Sequence, residues 1–121
     1  MMPNHSFFSS DASIDELITR IRENDKAFTR CYFDNKHLSN SQFDALFEAL
    51  SHNTVVTYVN LFGCGLEEHH LRALKQSVEN NPSIHSLILE ESPRDTEKQI
   101  LIDSIKNILS ERPRPDNGLD I

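Results

Sequence analysis

Val56-Thr57-Tyr58-Val59-Asn60-Leu61-Phe62-Gly63-Cys64-Gly65-Leu66 sets the pattern for the whole chain. Val59 and Leu61 alternate with their neighbours as in a strand, and Gly63 and Gly65 then flank Cys64 at a turn. Downstream, Leu71, Leu74 and Val78 recur at helical spacing, and Asn80-Asn81-Pro82 ends that helix and opens the next turn. One short unit thus holds strand, turn and helix.

The unit has a predecessor. Phe28, Cys31, Phe33, Leu38, Phe43, Leu46 and Leu50, each moved forward by 28, become Val56, Val59, Leu61, Leu66, Leu71, Leu74 and Val78. In a chain that is 37% hydrophobic, chance agreement at fourteen positions is roughly one in a million, and a thousandfold discount for choice of register leaves the repeat standing. A third unit starts at the same offset with Ile84, Leu87 and Leu89. In the first unit Ser39, Asn40 and Ser41 are available to cap a helix running to about His52, with Asn53 ending it. Ahead of it, Ile14, Leu17, Ile18 and Ile21 predict an amphipathic helix capped by Ser13 or Asp11. After the third strand, Ser92-Pro93 reads as a helix start, followed by an apolar face of Ile100, Leu101, Ile105, Ile108 and Leu109.

These elements predict one domain over 11–112, with a cap helix at 13–24 and repeats near 28–55, 56–83 and 84–110. A flexible arm (1–10) and a flexible tail (113–121) flank it. One strand and one helix cannot bury an apolar stripe alone, so the units stack into a parallel sheet backed by helices. Packed helices are wider than the strand spacing of roughly 4.8 Å, which curves the stack and puts the sheet on its inner side. The expected class is α/β: a short solenoid with three parallel strands on the concave side, helices on the convex side and helical caps at both ends.

Residues 56–66 match the leucine-rich-repeat core L-x-x-L-x-L-x-x-N/C-x-L, and the helix that follows resembles the ribonuclease-inhibitor class of these repeats. Tropomodulin and the sensor regions of NOD-like receptors carry that class. The resemblance covers about residues 14–110, strongest in the second unit. It implies that Cys64 fills the core and hydrogen-bonds the turn backbone. Lys36 stands at that place in the first unit, where it cannot make the same contact, and Ser92 stands there in the third, which also loses the later helical register. Small repeat proteins of this kind also resemble secreted effectors of intracellular bacteria.

Alternation along the strands names a candidate binding face. With Cys31/Phe33, Val59/Leu61 and Leu87/Leu89 inward, three lateral rows point outward: Arg30–Tyr58–Ser86, Tyr32–Asn60–Ile88 and Asp34–Phe62–Glu90. Tyr32, Tyr58, Phe62 and Ile88 would form one apolar patch, and aromatic residues are enriched in interface hot spots. Partner binding competes with two other readings: coverage of the patch by the Phe7-Phe8 arm or by a second copy, and plain cross-strand packing. The predicted function is a protein–protein interaction module, and the alternative is an assembly protein acting through its terminal repeats.

Composition narrows the field. A formal net charge of −7 argues against nonspecific nucleic-acid binding, and no apolar run reaches the roughly 20 residues of a membrane span. Met1 to Ser6 show no secretory signal pattern, so the expected location is the cytoplasm, or a host cytosol reached without a classical signal. The expected partner is another protein, with the chain a monomer or weak homodimer. No cofactor or metal is expected. Cys31 and Cys64 read as buried free thiols, His69 and His70 as facing different sides of a helix, and His37, His52 and His85 as solvated. Glu67-Glu68 and Glu90-Glu91 lack the setting of an acid/base pair, and Gly63-Cys64-Gly65 is too short to cradle a phosphate. No catalytic constellation emerges.

Overall fold

The computed structural model describes residues 10–112, with side-chain surroundings from residue 14. The Phe7-Phe8 arm and residues 113–121 lie outside the described residues. Helices and strands alternate as α1 (Ser10–Arg22), β1 (Arg30–Tyr32), α2 (Asn40–His52), β2 (Tyr58–Asn60), α3 (Glu68–Asn80), β3 (Ser86–Ile88) and α4 (Thr96–Ser110). The strands form a parallel sheet in the order β1-β2-β3, and each helix packs on the next in chain order. Register follows the sequence period: Cys31 pairs with Val59, and Val59 with Leu87. The bounds of α2, moved by 28 residues, are those of α3, and α4 begins at that same offset.

Apolar periodicity accounts for the core. All fourteen positions that define the repeat are buried or packed against the buried cluster. The inward strand residues Cys31, Phe33, Val59 and Leu61 are at most 1% exposed. Leu89 is buried and Leu87 half-buried, because among the described residues β3 has no strand beyond it.

Two asparagines tie the units together, a role that their reading as helix terminators did not include. Asn53 is buried; its Oδ1 accepts the N–H groups of Val55 and Val56, both at 2.7 Å, and its Nδ2 donates to the Ile21 carbonyl at 2.9 Å. Asn81, 28 residues on, repeats the arrangement: Oδ1 accepts Ser83 N–H at 2.8 Å, and Nδ2 donates to the Leu50 carbonyl at 2.7 Å. Each side chain closes its own turn and secures the C-terminal end of the preceding helix. Asp25 stands at the same place one unit earlier and accepts Ala27 N–H at 3.0 Å. Buried Ser77 donates to the Phe47 carbonyl at 2.7 Å and adds a further link between α2 and α3. Among the described residues, no buried side-chain nitrogen or oxygen lacks a partner.

The outermost helices depart from expectation. α1 runs Ser10–Arg22 where the sequence predicted 13–24, so Asp11 and Ser13 are inside the helix rather than capping it. It ends where Asn24 takes a left-handed φ of 55° and Asp25 N–H reaches back to the Arg20 carbonyl at 3.1 Å. Ser92 does not cap α4. Asp95 N–H closes a turn onto the Ser92 carbonyl at 3.0 Å, and the Asp95 carboxylate caps the helix by accepting Lys98 N–H at 3.1 Å. Gln99 Oε1 meanwhile takes Ser92 N–H at 2.7 Å. The third unit keeps the helical backbone register: Ile102 and Ile105 stand 28 residues after the buried Leu74 and Ser77, while Gln99 and Lys106 stand where Leu71 and Val78 are buried and Leu101 is buried instead.

Arg112 reaches back to the turn between α3 and β3. Its guanidinium donates to the carbonyls of Val78 (2.6 Å), Asn81 (2.8 Å) and Ile84 (2.8 Å). Val78 stands 28 residues after Leu50 and Ile84 the same distance after Val56, whose carbonyls accept from Asn81 and Ser83. One arginine therefore occupies the carbonyls that the Asn/Ser pair of a following unit would use. Partial burial holds its pKa below the usual arginine value.

Candidate functional site

Each strand is three residues long, so it offers two outward side chains, with a third just past its end. The first two outward rows are direct lateral neighbours: Arg30, Tyr58 and Ser86 align, as do Tyr32, Asn60 and Ile88. In the third, Asn35 N–H donates to the Phe62 carbonyl at 2.7 Å, which extends the pairing to Asp34 and Phe62. Glu90 is exposed beyond β3. The outward positions carry exposed apolar surface: Tyr32 is 48% exposed, Phe62 44% and Ile88 38%.

Arg30, Tyr32 and Tyr58 make one cluster. The two tyrosine rings lie 5.4 Å apart, tilted by 48°. The Arg30 guanidinium sits 4.2 Å from the Tyr58 ring centre, and its Nε donates to the Tyr32 hydroxyl at 2.9 Å. That hydrogen bond, then the electrostatic interaction with the Tyr32 phenol oxygen, raises the arginine's pKa above its ordinary value. Asn60 serves the turn after its own strand, its Oδ1 accepting Phe62 N–H at 3.0 Å. Gly63, at φ 75°, lets the chain leave the sheet; its counterpart Asn35 adopts the same left-handed conformation at φ 60°.

Three parallel strands with a 28-residue register, each followed by a helix, fix the kind of fold. It is similar to that of a tropomodulin. The C-terminal domain of Caenorhabditis elegans tropomodulin superposes with a TM-score of 0.66 at 20% identity, over 80% of this chain and 57% of that one. A leiomodin-1 structure, its actin-binding site 2, superposes with a TM-score of 0.65 at 26% identity, over 82% of this chain and 56% of that one. Both neighbours are leucine-rich-repeat-like. The chain spans little more than half the length of either. No protein-family model matches the sequence, and no curated protein matches it.

The reactive residue types occupy structural places. Cys31 and Cys64 are both buried and free. Desolvation pushes the Cys31 thiol up to about 12, and burial also raises that of Cys64, whose Sγ donates to the Phe33 carbonyl at 3.0 Å. Cys64 thus makes the turn contact that the resemblance implied. Lys36, its counterpart, supplies a backbone N–H to the same carbonyl at 3.0 Å.

His69 is exposed and His70 buried, so the two differ in setting as expected, although they are not far apart. Their rings lie 4.0 Å apart, and His70 is buried against Phe43 at 4.2 Å. His70 turns inward because its Nδ1 accepts Glu67 N–H at 2.9 Å at the start of α3, which leaves Nε2 to donate to Asn40 Oδ1 at 2.8 Å. Gln42 does the same for α2, accepting Ser39 N–H at 2.9 Å and donating to Asp15 at 3.1 Å. Burial, then the neighbouring His69, hold the His70 pKa below its ordinary value. His37 and His52 are exposed, and His85 is half-buried with Nδ1 2.7 Å from the Ser83 carbonyl. Among the described residues no three His, Cys, Asp or Glu side chains gather as a metal site requires, and no helix is long and apolar enough to cross a membrane.

Proposed function

We propose that the chain is a protein-interaction module: a short leucine-rich-repeat solenoid, its ends capped by α1 and α4, that receives another protein on the concave face of its sheet. Arg30, Tyr32, Asp34, Tyr58, Asn60, Phe62, Ile88 and Glu90 supply the contact. One observation carries the reading. Inward strand residues are buried, while Tyr32, Phe62 and Ile88 on the other face each expose more than a third of their surface. An apolar, aromatic sheet face left in water is what an interface provides before its partner arrives. The likeness to a leiomodin-1 structure described as an actin-binding site makes actin the first partner to test.

The test is co-sedimentation with filamentous actin, and in parallel affinity purification, with the wild type against Tyr58→Ala/Phe62→Ala. Recovery of a partner by the wild type and its loss from the folded variant supports the reading. A folded variant that retains full affinity overturns the assignment of this face.

An assembly role is the second reading, favoured by Ile100, which is 54% exposed on α4, and by the edge of β3, which pairs with no further strand among the described residues. Light scattering over a range of concentrations separates the two. Mass that grows with concentration and is lost in Ile100→Ser supports assembly; a constant monomer mass excludes it.

A further inference from the structure

The outer sheet face carries unpaired charge of opposite sign at its two ends. At the N-terminal end stands Arg30. Its Nε is engaged by the Tyr32 hydroxyl and its guanidinium sits 4.2 Å from the Tyr58 ring centre, so the side chain is held at two points, neither of them a carboxylate. No carboxylate pairs with it among the described residues. Among the described residues its two terminal nitrogens make no hydrogen bond, and these form the edge that grips a carboxylate through two parallel bonds. An arginine held in this way loses little rotamer freedom on meeting an anion, whereas a loose surface arginine loses much. At the other end Asp34 and Glu90 stand in the row of Phe62, and neither forms an ion pair among the described residues. Four strand residues at roughly 3.3 Å each put the two ends about 13 Å apart. Between them lie Tyr32, Asn60 and Ile88.

Resting on the concave-face reading above, we infer that the partner is a protein segment with an apolar centre, an acidic side chain seated on Arg30, and a basic side chain about 13 Å away between Asp34 and Glu90. Charge complementarity fixes the segment's direction along the strands: its acidic end lies over the start of β1, its basic end past the ends of β1 and β3. The chain's overall charge of −7 would repel a wholly acidic ligand and attract a basic one without orienting it. The isolated, preset Arg30 is what adds the requirement for an acid.

Random twelve-residue peptides displayed on phage provide the probe, selected on the immobilised chain and on Arg30→Gln and Phe62→Ala. Phe62 is chosen because no contact joins it to Arg30, and thermal melts first establish that each variant folds. Peptides selected on the wild type should carry an Asp or Glu and a Lys or Arg on opposite sides of an aromatic or aliphatic centre. A synthetic copy should bind Arg30→Gln about tenfold more weakly. Replacing its acidic residue by the amide should weaken wild-type binding by a similar factor and leave binding to Arg30→Gln unchanged. Binding that is lost in Phe62→Ala but indifferent to Arg30→Gln and to the peptide's acid overturns the arginine's role and leaves the face standing. Binding indifferent to Phe62→Ala, or a selection that yields no binder, overturns the face itself and the inference with it.

Discussion

Replacing Asn53 with leucine keeps the side chain's size and removes its polar atoms. Three backbone groups then lose a partner: the N–H groups of Val55 and Val56 and the carbonyl of Ile21. Val55 is half-buried, so its N–H finds water. Val56 is 0% exposed and its N–H stays dry, whereas the Ile21 carbonyl still accepts the N–H of Asn24 at 3.1 Å. An orphaned buried donor costs about 1–3 kcal/mol, so Asn53→Leu should lose about 1–3 kcal/mol of folding stability. That is a measurable share of the roughly 5–15 kcal/mol that holds a domain together. Asp25 provides an internal control, because it stands at the same repeat position but closes only its own turn, in partial contact with water. Asp25→Ala should cost less than about 1 kcal/mol, the worth of one exposed hydrogen bond. Urea denaturation followed by far-ultraviolet circular dichroism measures both. Equal losses at the two positions, or an Asn53→Leu cost below about 1 kcal/mol, would refute the account of the asparagines as ties between units.

The remaining predictions concern charge and reactivity. His70 has a folded pKa below its ordinary 6.5, so its contribution is complete above that value and is lost as the pH falls beneath it, where the unfolded chain takes up the proton first. His70→Gln, which supplies the residue found at the matching Gln42, should keep the helix start and flatten the loss of urea resistance between about pH 6.5 and pH 5; an unchanged slope would assign that loss to other groups. Arg112→Met should lower stability by about 1–3 kcal/mol and speed amide exchange along β3 and the end of α4, since three carbonyls lose a charged donor. Cys31 and Cys64 should react with a thiol reagent only as fast as the chain unfolds; prompt labelling of the native protein would contradict their burial.

How much of this was legible in the sequence depends on what kind of signal each residue gives. Apolar positions repeat with a fixed period, and Val59, Leu61, Leu71 and Leu74 could be placed inside from spacing alone because the core asks only for oiliness at the right interval. The outward rows followed from strand alternation, and the register of Arg30 with Tyr58 and of Tyr32 with Asn60 agrees with it. Polar residues were harder. Asn53 and Asn81 look like ordinary helix terminators until the carbonyl opposite each is known, and that carbonyl belongs to a helix some thirty residues away. His70 and Gln42 share a repeat position without sharing chemistry, so comparing apolar sites passed over them. At Ser92-Pro93 a sound local signal lost to the backbone spacing imposed by α3, and Asp95 took the cap. The Arg30 cluster was visible as three residues on one face, but the preset guanidinium is a matter of geometry.

Arg112 has a consequence for how such a chain can lengthen. Duplicating the last unit in tandem would set the new copy against carbonyls already taken, leaving the old arginine buried mid-chain with its partners contested. Duplicating the middle unit, residues 56–83, meets no such obstacle: each junction stays of a kind already present, and the arginine remains at the terminus. Lengthening by whole units should therefore be tolerated when residues 56–83 are duplicated and resisted when a unit is added after Arg112.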